Sequence, residues 1–252
     1  MEEITRNTPS GQTEGGFRLH ATVRALLSPG IWFVLATQIA LLFSLQWRVP
    51  ADAAPLQSML AVFLTATALL MFFYLQAGAF QALTQGRDTL SVMEIVRAGK
   101  PVFVSFVWLT IKAGLLFALT MNVLVLLALM FTGSDFKNLM QMLQSTFGPM
   151  TGLLGFVFVY WLPIVFVQRD FRLLPSLKAA LKVAWSRIAH AMFLAILVLV
   201  PALVTGLLPV ETPLLVNAVA SLASGLLGWI AYIYCVDILR RSRLDMPGEA
   251  PP

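Results

Sequence analysis

The run from Val102 to Phe131 is thirty residues long and apolar throughout except for Lys112. About twenty such residues cross a bilayer core as a helix, so thirty exceed what one perpendicular span needs. If the span is Ala113 to Phe131, Lys112 marks its cytoplasmic edge and snorkels toward the interface; the alternative is a functional charge inside the membrane. Either way the run commits this part of the chain to hydrocarbon.

Five more stretches repeat the pattern. Ile31–Trp47 carries Trp32 and Trp47 where interfacial aromatics belong. Leu56–Leu83 is long enough to tilt, Met150–Val167 contains Pro163 as a kink site, Ala191–Leu208 contains Pro201, and the last runs from Leu214 to about Val236. With 59% hydrophobic and 12% charged residues, the chain lies far from a soluble domain, in which about a quarter are charged. The expected fold is all-α, an integral membrane helical bundle of about six transmembrane helices with short amphipathic interfacial helices. Residues 17–243 form its single membrane domain, between disordered cytoplasmic tails at 1–16 and 244–252. Ala51-Asp52-Ala53 has the form of a signal-peptidase site, but about thirty residues precede the apolar stretch, which favours an uncleaved span.

Orientation comes from the bases. With both termini inside, fourteen of the seventeen Lys and Arg fall on inner segments, Arg48 and Lys137 fall outside, and Lys112 is set aside. That asymmetry follows the positive-inside rule, and an even number of spans returns the C-terminus to the basic side. The net charge of +5 is therefore a topology signal; the bases sit in short connectors, so no nucleic acid is expected as a partner.

The connectors have structure of their own. Residues 17–28 suggest a short interfacial helix, and 136–143 another on the outer face. In 89–100, Ser91-Val-Met-Glu94 has the form of a capping box, with Val92, Ile95 and Val96 on one face before Gly99 and Pro101 break the helix. From Trp161 to Ala189 an apolar span ends in Gln168, Arg169, Asp170 and Arg172, and a helix starts near Pro175. Leu177, Leu181, Ala184, Trp185 and Ile188 should share an apolar face, with Lys178, Lys182, Ser186 and His190 on another stripe and Arg187 beside them. Such a helix can lie in a headgroup layer. Lys178, Lys182, Arg187, Arg169 and Arg172 are accordingly the candidate contacts for lipid or a partner, against the plainer reading of a connector obeying the positive-inside rule. The spans before these two connectors both end in Arg-Asp pairs, Arg87-Asp88 and Arg169-Asp170, which hints at a parallel duplication.

Inside the spans, Ala220, Ser224 and Gly228 recur at steps of four beside Ser221 and Gly225, and Ala36, Ala40 and Ser44 do the same. Small residues let helices approach closely, within the bundle or in a homo-oligomer. Gln38, Gln76, Asn122 and Asn217 are helix–helix hydrogen bonders in the first instance. A transporter would bring Lys112, Asn122 and Asn217 around one wet cavity. His20 and His190 stand at membrane edges without a carboxylate in triad or metal spacing, and there is no phosphate-cradling glycine loop, so neither catalysis nor a metal or cofactor is expected. Asp237 should pair with Arg240 or Arg241, and Cys235 should be a packing residue.

At Gly86-Arg87 through Lys100, and at Trp161-Leu-Pro-Ile-Val-Phe-Val followed by Ser176-Leu177-Lys178-Ala179-Ala180, the chain resembles uncharacterised bacterial inner-membrane proteins related to the membrane domain of glycerophosphoryl diester phosphodiesterases. The resemblance spans about residues 20–243 and implies a bacterial plasma-membrane location. It does not carry the phosphodiesterase activity, for which no soluble domain is present in the sequence. The expected function is thus a non-enzymatic membrane protein engaging anionic lipids, a membrane-protein partner or a second copy of itself, with a transporter of a small or lipidic molecule as the alternative.

Overall fold

A computed structural model of the chain describes residues 19–46, 55–87, 89–132, 157, 159–206 and 213–244, and every regular element among them is an α-helix. In order these are α1 (Leu19–Leu26), α2 (Pro29–Gln46), α3 (Pro55–Thr84), α4 (Val92–Gly99), α5 (Phe103–Thr132), α6 (Val159–Gln168), α7 (Leu173–Ser186), α8 (Ile188–Gly206) and α9 (Leu214–Leu244). Three of them, α3, α5 and α9, are long and apolar enough to cross a membrane; the count is four if α7 and α8, bent by 109° at their junction, are taken as one. Among the described residues α2 and α6 are shorter apolar helices. Both tails, Trp47 with the segment through Ala51-Asp52-Ala53, Asp88, the proposed outer helix, the start of the fourth span and the tight turn before α9 lie outside the described residues.

The 102–131 run becomes one unbroken helix, α5, which passes through Lys112 rather than starting after it. Twenty residues of rise from Lys112 to Thr132 measure about 30 Å, the thickness of a hydrocarbon core. Both α3 and α5 are packed at one end and bare at the other. From Leu75 to Leu83 α3 is almost wholly buried, whereas Leu56, Met59, Leu60, Val62 and Phe63 are exposed, as are Leu115, Leu119 and Leu126 of α5. Helices apolar all round with exposed leucines and valines are stable in lipid and not in water.

The packed end centres on Phe80. Its ring lies 4.4 Å from that of Tyr232, 5.0 Å from Trp229 and 5.6 Å from Phe166, so α3, α9 and α6 meet on one aromatic cluster. A second core joins Leu109, Trp161, Ile164, Val165, Leu194 and Cys235. The free thiol of Cys235 is buried here, as a packing residue. Between α2 and α9, Gln38 donates from Nε2 to the Ser221 hydroxyl at 3.1 Å, while Leu35 and Gln38 face Gly225. The small flank of α9 is thus used at Ser221 and Gly225; Gly228 has no neighbour within 4 Å of where a Cβ would stand.

Helix α4 carries the expected capping box. The Ser91 N–H donates to Glu94 at 2.8 Å, and the Glu94 N–H donates back to the Ser91 hydroxyl at 3.3 Å. The helix does not rest loosely on the bundle: Ile95 is fully buried, and the Tyr74 hydroxyl donates to the Val96 carbonyl at 2.8 Å. Contact this close needs Gly78, where any Cβ would collide with the Ile95 carbonyl.

Candidate functional site

Two turns of similar form lie where α3 and α6 end. Each closes with a glutamine followed by a residue in the left-handed region: Gln85 then Gly86 (φ 92°), and Gln168 then Arg169 (φ 54°). Glycine takes that conformation without penalty; for arginine it costs about 1 kcal/mol.

The α3 turn is heavily tied down. Arg240 of α9 places Nη2 at 2.8 Å from the Leu83 carbonyl and 2.5 Å from that of Thr84. These are the orphan acceptors of a helix C-terminus, where a cation also meets the negative end of the helix dipole. Of the two arginines that the sequence offers to Asp237, Arg240 is engaged by a helix end packed against α9, whose bare carbonyls the sequence does not display. The Tyr232 hydroxyl donates to the Phe80 carbonyl at 3.1 Å and lies 3.0 Å from the Thr84 hydroxyl. Outside, Arg87 pairs with Glu94 at 2.8 Å. The Ser91 N–H, then the Ser91 hydroxyl and Arg87, hold the Glu94 carboxyl below its usual range.

The α6 turn is more open. Asp170 is gripped by Arg172 at 2.9 and 3.0 Å, and the Arg172 N–H adds a bond of 3.1 Å. The Arg172 side-chain hydrogen bonds lead in keeping the Asp170 carboxyl below its usual range. Arg172 is therefore half of an internal ion pair, whereas among the described residues Arg169 has neither hydrogen bond nor carboxylate partner. Next, α7 is pinned from beneath: the Trp161 indole N–H donates to the Ser176 hydroxyl at 2.7 Å, and that hydroxyl is 2.5 Å from the Arg172 carbonyl. Both residues are buried.

The expected apolar face of α7 divides by side-chain size. Ser176 and Ala180 form its buried edge, and Leu177 and Ala184 are half-buried. Leu181 and Trp185 are exposed at 64% and 83%, together with Leu174 and Ile188. The small residues face the bundle because the approach is too close for larger ones, which displaces the leucines and the tryptophan outward. Lys178 and Lys182 are exposed along the flank of this apolar strip. Arg187 is half-buried and ends α7, with its N–H on the Val183 and Ala184 carbonyls. Nine residues at about 100° each set it opposite Lys178, so the structure keeps the two lysines together and the arginine apart.

The remaining candidates do not converge. Lys112 is exposed with its ammonium 5.2 Å from the Trp108 ring centre, and Asn122 is exposed and donates to the Ala118 carbonyl of its own helix at 2.8 Å. Ten residues separate them, about 15 Å of rise. Asn217 is half-buried on α9. His190 meets the Tyr234 hydroxyl at 2.6 Å through Nδ1. Compared with known proteins, the chain matches no family model, no curated protein and no solved structure.

Proposed function

We infer that this is a non-enzymatic, six-span protein of a bacterial inner membrane, with both termini in the cytoplasm and α7 lying in the inner headgroup layer to engage anionic lipid. The observation that carries the reading is the outer surface of α7. Exposed Leu174, Leu181 and Trp185 form an apolar strip flanked by exposed Lys178 and Lys182, on a helix set 109° from α8. If α8 crosses the bilayer, α7 lies about 20° (109° less 90°) from the membrane plane. An exposed tryptophan beside lysines is the composition that favours the boundary between acyl chains and headgroups. Each lysine near an anionic surface contributes about 1 kcal/mol of attraction.

The alternative, a transporter, draws little support from Lys112 and Asn122, which stand apart on the exposed side of α5. The test is native mass spectrometry of the gently solubilised protein, comparing retained lipid with bulk membrane. Enrichment of anionic lipid that falls in Lys178→Gln/Lys182→Gln is the expected result. Bulk-like lipid on both proteins would reduce α7 to a topology signal.

A further inference from the structure

Between the ends of α3 and α6 lies a cavity of about 470 Å³, walled by Gln81, Thr84 and Gln85 on one side and Phe166, Gln168 and Arg169 on the other. That volume is in the range of small-ligand sites. Gln81 is only 6% exposed, yet its Oε1 has no hydrogen-bond partner among the described residues. A buried carbonyl oxygen without a donor is unfavourable, so the site is incomplete as it stands. Thr84 cannot complete it, because its hydroxyl already bonds the Phe80 carbonyl at 2.7 Å and meets Tyr232.

The opposite wall holds Arg169, an exposed cation without a carboxylate partner among the described residues and a residue kept in a left-handed conformation. The matching turn of α3 uses glycine at this point, so the α6 turn keeps a side chain where none is needed for folding. Strain of this kind is retained where the side chain has a task. Among the described residues no carboxylate lines the cavity. The lining residues bring a guanidinium, Arg169, together with three side-chain amides, Gln81, Gln85 and Gln168, a set that suits a ligand carrying an anionic group and a hydroxyl. The lining residues occupy the last turns of apolar helices, the depth at which lipid phosphates sit.

The geometry points to a binding site for a phosphorylated hydroxyl compound, its phosphate on Arg169 and its hydroxyl against the side-chain amides of Gln81, Gln85 and Gln168. Two sources share that chemistry, a phospholipid headgroup and a soluble phosphorylated polyol. The assignment rests on the membrane placement proposed above, but not on the surface of α7.

The test uses the full chain in detergent, observed by native mass spectrometry with phosphatidylglycerol, phosphatidylcholine and sn-glycerol 3-phosphate as probes. Retention of phosphatidylglycerol at least tenfold above phosphatidylcholine, or binding of the soluble phosphate, is the expected result. Displacement of the lipid by sn-glycerol 3-phosphate would identify the soluble source, and its failure to displace would identify the lipid. Gln81→Leu and Arg169→Gly should each weaken retention at least tenfold. Arg169→Gly relieves the turn, so its melting temperature should hold or rise as binding falls, which separates a lost contact from a lost fold. In Lys178→Gln/Lys182→Gln the share of retention that the two cavity variants remove should persist. Full binding by both cavity variants would overturn the site while leaving the role of α7 standing, and equal retention of both lipids by the parent with no binding of the soluble probe would overturn both.

Discussion

The α3–α4 and α6–α7 connections share a local pattern and differ in what they do with it. Each preceding helix ends in glutamine and a left-handed residue, beside an ion pair, Arg87 with Glu94 or Arg172 with Asp170, and a short helix follows. In the first, α4 drives Ile95 into the core over Gly78, and Arg240 clamps the turn from α9. In the second, only a serine and an alanine of α7 are buried, and its largest side chains face outward. Burial of one large side chain against burial of two small ones decides whether a connector helix becomes part of the bundle or a surface that meets something else. The same pattern thus serves as a clasp on one side and as an exposed face on the other.

That contrast can be broken at its tightest point. Gly78→Leu should destabilise the protein by about 3 kcal/mol or more, since backbone and not a movable side chain blocks the space. Thermal unfolding in detergent would show it, while Gly228→Ala, in open space, should stay within about 0.5 kcal/mol of the parent. Next in size is Ser176→Ala, which strands the buried Trp161 indole N–H. A loss of about 2 kcal/mol is expected, with a change in tryptophan emission as α7 loosens. Ser91→Ala should cost about 1 kcal/mol by uncapping α4. Arg169→Gly should move stability the other way, by about 1 kcal/mol, whereas the corresponding Gly86→Arg should lower it.

Acid supplies the smallest effect. The carboxyls of Glu94 and Asp170 ionise more readily in the folded protein than at their ordinary values of 4.5 and 3.8. Their contribution is therefore complete above those values and lost as pH falls through the lower folded ones. Both are exposed, so the melting temperature should fall only slightly below about pH 4.5, and Glu94→Gln should remove part of that slope.

Much of this was legible in the residues. Long apolar runs gave α3 within one residue at each end, and Ser91 with Glu94 announced α4 because capping is a local exchange of hydrogen bonds. Gln38 was marked as a helix–helix hydrogen bonder, and it meets Ser221. What could not be read depends on which elements meet. Nearness in sequence offers Arg240 or Arg241 to Asp237; the Leu83 and Thr84 carbonyls that Arg240 reaches belong to a helix more than 150 residues away. Periodicity reveals the apolar face of α7 but not how protein and lipid divide it, so the burial of Ser176 and Ala180 beside an exposed Leu181 and Trp185 needs the structure. The sequence pairs Arg169-Asp170 with Arg87-Asp88, and only the backbone sets Arg169 against Gly86.

The most direct test of the account is the depth of α7. Nitroxide labels at Leu181→Cys, Lys182→Cys and Trp185→Cys, in a Cys235→Ser background and reconstituted in bilayers, would be compared for collisions with oxygen and with a water-soluble nickel chelate. Oxygen should be favoured at 181 and 185 and nickel at 182, the signature of a helix lying at the acyl–headgroup boundary. Nickel access at all three positions would place α7 in water and contradict it.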